Sequence, residues 1–168
     1  MKSRDRDERF SAFVRAESHR LQRFAALMTG EPDLAADLTQ EALTRVYRSW
    51  GRIEGGDAGP YARRIIINLF RSELRRRMTR RARPHLGAIP ATVPSGSHNV
   101  DDYVSMTRAL EQLSPMRRAV ILLRFYEDMT EPQIAEVLDR PLGTVKSDIH
   151  RALAQLRPKV EEMVGGAR

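Results

Sequence analysis

The sequence predicts an all-α protein: two small helical domains joined by a flexible linker, the C-terminal one a helix-turn-helix. Three observations carry this. Apolar residues recur at i, i+3, i+4 and i+7 along most of the chain, the spacing of one buried helix face. No segment shows the period-two alternation of a half-buried strand. The stretch Pro84 to Val100 holds three Pro, two Gly and two Ser but no Asp, Glu, Lys or Arg, which is the composition of a linker. The expected domains are residues 1–83 and 101–168, with residues 84–100 between them.

The elements follow in order. A first helix runs from Arg9 to Met28, with Phe10, Phe13, Val14, Leu21, Phe24, Ala25 and Met28 facing inward. Thr29-Gly30-Glu31-Pro32 reads as a stop and a restart. The second helix, Asp33 to Trp50, buries Leu34, Leu38, Ala42, Val46 and Trp50. Pro60 suits the first turn of a third helix, where its missing N–H is not needed; Tyr61, Ile65, Leu69 and Leu74 point inward. Beyond the linker, Asp101 or Asp102 caps a helix through Leu113. Ser114-Pro115 opens another, to about Tyr126. Thr130-Glu131-Pro132-Gln133 is a capping box ahead of a short helix ending at Leu138. A turn from Asp139 to Gly143 leads to a last helix, Thr144 to Arg157.

Charge narrows the function. The net charge is +7, yet residues 1–62 are neutral, residues 63–83 carry +8, and residues 101–168 carry −1. One short Arg-rich stretch therefore holds the excess, which favours a localised contact with a polyanion. The absence of cysteine excludes disulfides, zinc–cysteine sites and thiol nucleophiles. His19, His85, His98 and His150 are scattered, so neither a metal nor another cofactor is expected. No phosphate-binding loop or nucleophile elbow occurs, and an enzyme is not expected. No apolar run approaches the ~18 residues of a membrane span. The N-terminus MKSRDRDERF lacks the apolar core of a secretory signal. A cytoplasmic protein without membrane contact is the expectation.

A short helix, a tight turn and a second helix describe a helix-turn-helix. On a wheel of ~100° per residue, Val145, Ile149, Ala152, Leu153 and Leu156 share one face of the last helix. Thr144, Ser147, His150 and Arg151 share the other. Short polar groups near base edges with basic groups near phosphates suit a major groove, and Lys146 and Arg151 supply the charge. Taken alone, the same helix also fits a merely solvated face.

The residues carry a resemblance. Leu113-Ser114-Pro115, Arg118, Leu122-Leu123-Arg124, Ile134-Ala135-Glu136, Gly143-Thr144-Val145-Lys146-Ser147, Arg151-Ala152 and Leu156-Arg157 resemble the C-terminal DNA-binding domain of bacterial sigma factors. Asp37-Leu38-Thr39-Gln40-Glu41 resembles the signature of the sigma domain that docks on core RNA polymerase. Pro60-Tyr61-Ala62-Arg63-Arg64-Ile65, Asn68 and Leu74-Arg75-Arg76-Arg77 resemble the following helix, which handles the minus-10 element. Two domains, a short linker and no extra N-terminal region resemble the extracytoplasmic-function group of the sigma-70 family.

The resemblance implies an alternative sigma factor whose partners are core RNA polymerase and promoter DNA, and in many relatives an anti-sigma factor. It implies core binding through Asp37, Gln40 and Glu41, and minus-10 contacts through Arg64, Asn68, Arg71 and Arg75. It implies minus-35 contacts through Thr144, Lys146, Ser147, His150 and Arg151. The chain departs from the family at Tyr61-Ala62, usually Trp-Leu, and at Ile66-Ile67, usually small then basic. Ser72 stands where Asp is frequent, and Asp148 where Arg is frequent. Asp148 beside DNA would repel phosphate or accept from cytosine N4. A stand-alone helix-turn-helix regulator is the alternative reading, and the Asp37-Gln40-Glu41 face, useless to such a regulator, discriminates the two. A module that only sequesters another factor is a third.

Overall fold

The computed structural model describes residues 2–53, 58–81 and 99–165. Among the described residues there are seven α-helices, one π-helical turn and no strand. Packing divides the chain into two units, Met1–Phe70 and Arg71–Arg168, and the division falls within one continuous helix. The expected linker, 84–100, lies outside the described residues except for Asn99 and Val100, which open a helix.

In the first unit, α1 spans Lys2–Thr29 and α2 Pro32–Ser49, and α3, Ala58–Arg81, belongs to it as far as Phe70. The core holds Leu21, Phe24, Ala25 and Met28 of α1, with Ala35, Leu38, Ala42 and Val46 of α2, all buried. α1 ends because Gly30 takes a left-handed φ of 71°, from which its N–H reaches the Ala26 carbonyl at 2.8 Å. Pro32 then occupies the first turn of α2, as its missing donor allows.

α1 begins seven residues before the expected Arg9. Apolar spacing could not show this, because charge sustains the extra turns. Arg4 pairs with Glu8 and Arg9 with Asp5 at i,i+4. The extension is also tied to α2: the Asp7 carboxylate accepts from the Tyr47 hydroxyl at 2.7 Å, and the Arg6 guanidinium lies 4.8 Å from the Tyr47 ring centre. Phe10 stands edge-on to Trp50 at 5.3 Å and 4.9 Å from Tyr47.

The inward face of α3 differs from the expected one. Ala62, Ile65, Ile66, Ile67 and Phe70 are buried, while Tyr61, Leu69 and Leu74 are only partly so. Ile66 and Ile67 are core residues, 0% and 1% exposed. Leu34 and Trp50 of the expected α2 stripe are half-buried.

The second unit contains α4 Asn99–Glu111, α5 Pro115–Ile121, a π-helical turn Leu122–Tyr126, α6 Glu131–Leu138 and α7 Leu142–Gly165. α4 starts at Asn99, so Asp101 and Asp102 lie inside its first turns and neither is the cap. The Ser114 hydroxyl accepts from the Arg117 N–H at 3.4 Å and opens α5 as expected. α7 packs against α4, α5 and α6. Among its described side chains the buried ones are Val145, Ile149 and Ala152, which join Leu110, Leu113, Val120, Leu123 and Ile134 in the core. Leu153, expected inward, is 42% exposed because α7 turns that flank away from its neighbours. Pro158 does not end α7; the helix passes through it, forgoing one backbone donor.

Arg118 is buried in this unit. Its Nε donates to the Leu110 carbonyl at 2.9 Å, satisfying an acceptor at the end of α4. Burial pushes its pKa down, and the nearby Glu111 charge opposes that shift.

Candidate nucleic-acid interface

The helix-turn-helix is built by two caps around a tight turn. The Thr130 hydroxyl accepts from the Gln133 N–H at 3.4 Å, and the Gln133 side chain accepts from the Thr130 N–H at 2.8 Å, so the capping box is complete. α6 ends where Asp139 adopts a left-handed φ of 51° and the Arg140 N–H returns to the Ala135 carbonyl at 2.9 Å. The turn is Asp139-Arg140-Pro141, shorter than the expected Asp139 to Gly143, because α7 begins at Leu142.

On α7, Ser147, His150 and Arg151 are exposed and Thr144 is half-buried. They fall on one arc, since residues three or four apart in a helix share a face. Lys146 is exposed too, but on the flank toward α6, with Nζ 3.9 Å from a Glu131 carboxylate oxygen. That pair is surface-placed and worth little, so a phosphate competes readily for the ammonium.

Asp148 does not stand on this arc, and the idea that it accepts from cytosine is not supported by its position. Its side chain is 13% exposed, with one carboxylate oxygen 2.8 Å from Arg140 Nη1 and the other 3.8 Å from Arg117 Nε. Sequence reasoning missed this cluster. Its signal was Asp148 itself, an acid where a base was expected, eight residues after Arg140 and so on the side of α7 that reaches the preceding turn.

On α3, Arg64, Asn68, Arg71 and Arg75 stand at i, i+4, i+7 and i+11, a single stripe. Asn68 and Arg75 are exposed; Arg64 and Arg71 are half-buried. Arg75 also donates to the Ser72 hydroxyl at 3.1 Å, within the same helix. The Arg-rich stretch is not uniform. Arg63 is buried on Glu17 of α1 at 3.1 Å, while Arg76 and Arg77 flank Glu73 at 3.6 Å and 3.0 Å. On α2, Asp37 and Gln40 are exposed on the side opposite Leu38 and Ala42, and Glu41 beside them is held by Arg45 at 2.7 Å.

Two family models match in chain order: Sigma-70 region 2 over residues 13–80 and Sigma-70 region 4 over residues 103–156. The RNA polymerase sigma-E factor of Streptomyces avermitilis is 35% identical over 153 residues, covering 90% of this chain and 85% of that protein.

The chain belongs to the sigma-70 family, in its extracytoplasmic-function group.

The extracytoplasmic-function sigma factor SigL of Mycobacterium tuberculosis is 33% identical over 150 residues, covering 85% of this chain and 84% of that relative. The solved structure of the Bartonella quintana sigma factor RpoE, in complex with the anti-sigma factor NepR, matches the fold with a TM-score of 0.75 at 24% identity. That match covers 92% of this chain and 98% of RpoE. In this sigma factor the capping box, the turn and α7 as far as Leu156 lie within the region 4 match. The α2 face and the whole α3 stripe lie within the region 2 match, which starts eleven residues after the first residue of α1. No helix among the described residues is long and apolar enough to cross a membrane.

Proposed function

We propose that this chain acts in the cytoplasm as an alternative sigma factor, with named residues dividing the work. The protein binds core RNA polymerase and directs promoter-specific initiation of transcription. The observation that carries this is the pairing of both sigma-70 regions, in order, with relatives named sigma factors along nine-tenths of the chain. A stand-alone regulator is not favoured, because it has no use for region 2.

Asp37, Gln40 and Glu41 form the docking face for core polymerase. Two carboxylates and an amide on one side of α2 suit a basic helix, and Arg45 gives way because an i,i+4 surface pair is worth only ~0.3–0.5 kcal/mol. Arg64, Asn68, Arg71 and Arg75 hold the minus-10 strand: three cations follow a phosphate backbone, and the amide has both donor and acceptor for a base. Thr144, Ser147, His150 and Arg151 read the minus-35 duplex in the major groove, with Lys146 on a flanking phosphate. Residues 101–168 carry a net charge of −1 and bind DNA weakly alone; attachment to polymerase raises their effective concentration at the promoter. The linker between the two regions is the stretch from 84 to the start of α4 at Asn99, between the matches that end at 80 and begin at 103. The solved RpoE occurs with the anti-sigma factor NepR, and an anti-sigma factor that covers these faces would silence the protein.

Transcription in vitro tests the reading. Purified core polymerase with this protein yields transcripts with defined start sites from a genomic fragment library. If the fragments give the same transcripts with core polymerase alone, the reading is wrong.

A further inference from the structure

The Asp148 cluster has no part in the roles above, and it touches the one helix whose orientation matters most. Arg140 belongs to the turn, Asp148 to α7 and Arg117 to the first turn of α5. Arg117 makes a second link to α7, its Nη1 donating to the Gln155 side chain at 2.9 Å. Asp148 and Gln155 are seven residues apart, so both stand on one edge of α7, two turns from each other. That edge separates the buried Val145, Ile149 and Ala152 from the arc of Thr144, Ser147 and Arg151.

We propose that Asp148 is a positioning residue for promoter reading: bound by Arg140 and Arg117, it fixes the rotation of α7 about its own axis. The apolar core sets that rotation through shape alone, whereas the bonds of Asp148 to Arg140 and Arg117 are directional. A rotation of ~20° carries a side-chain tip ~6 Å from the helix axis by about 2 Å. Hydrogen bonds to base edges fail at such a displacement, whereas contacts with phosphate survive it through flexible side chains. Asp148 thus governs the discrimination between sequences, not overall attraction to DNA. It takes this part without touching a base, and it accounts for an acid at a position where the family often has a base.

The inference rests on α7 reading duplex DNA, and the test separates the two. Duplexes are selected from a random pool with wild-type protein bound to core polymerase. Binding of the full chain with polymerase to a selected and to a scrambled duplex is then measured well below the melting temperature. For Asp148→Ala and the milder Asp148→Asn, the preference for the selected duplex falls about tenfold, the size of one lost base-pair contact, while scrambled-duplex binding does not weaken. The exchange Asp148→Arg with Arg140→Asp restores much of the preference. An unchanged preference in both single variants, with only a lower melting temperature, overturns the inference and leaves the α7 assignment standing. Equal loss on both duplexes also overturns it. If wild-type protein selects no sequence at all, the assignment of α7 fails with it.

Discussion

Arg63 of α3 donates to Glu17 of α1 across 3.1 Å, with the Arg63 side chain only 5% exposed. The pair removes the first arginine of the basic stretch from any surface role and joins α3 to α1. Gly59 makes room for it, since a Cβ there would stand 3.0 Å from Arg63 Nη1. Glu17→Ala leaves a buried guanidinium without this carboxylate. Breaking a buried pair costs ~3–5 kcal/mol, and the 26% exposure of Glu17 places this case near about 3 kcal/mol. Urea unfolding of the variant measures the loss; a shift under about 1 kcal/mol, the surface-pair range, would mean the pair is effectively solvated.

The tie between Tyr47 and Asp7 predicts an alkaline transition. The hydrogen bond to Asp7, and then the Asp7 charge, hold the Tyr47 pKa above its ordinary value in the folded chain. A folded-state pKa above the unfolded one means that this stabilisation is complete below about pH 10 and is lost as pH rises through the folded-state value. Tyr47→Phe abolishes this part of the pH dependence. Thermal melts of both proteins from neutral pH to above the tyrosine range check it; identical alkaline slopes would contradict it.

Thr130→Ala removes the hydroxyl that accepts from Gln133 and costs the second unit about 1 kcal/mol, the usual value of an N-cap. Because α6 leads directly into the turn, the loss appears as faster amide exchange through residues 131–141 ahead of any change in α1 or α2. Uniform acceleration over the whole chain would show that the cap does not act locally.

Two substitutions separate docking from reading. Asp37→Ala weakens binding to core polymerase several-fold and leaves duplex binding of the assembled complex unchanged. Arg151→Ala leaves core binding intact and weakens minus-35 duplex binding by ~1–3 kcal/mol, the size of a guanine or tight phosphate contact. Titration of labelled protein with core polymerase, followed by titration with duplex, reads both.

The helix order, both Ser114 and Thr130 caps and the polar arc of α7 were legible in the sequence, because each depends on neighbours within one or two helical turns. What was not legible depended on partners far along the chain. Apolar spacing placed Leu69 and Leu74 inward, yet Ile66, Ile67 and Phe70 form the core, since α3 is apolar on more than one side and only its neighbours decide which is covered. The early start of α1 needed Tyr47, forty residues away from Asp7. The Arg63 and Asp148 side chains were read as surface charges because a one-dimensional pattern cannot show that Glu17, or Arg117 with Arg140, closes over them.

The division of labour between the two regions is tested most directly with paired templates, one fully duplex and one already open over the minus-10 element. Arg151→Ala should lose binding on the duplex template and recover most of it on the open one only where core and minus-10 contacts suffice. Arg75→Ala should keep upstream duplex protection and fail to hold the opened strand. If the two variants lose the same footprint to the same extent on both templates, the separate assignments of α3 and α7 are contradicted.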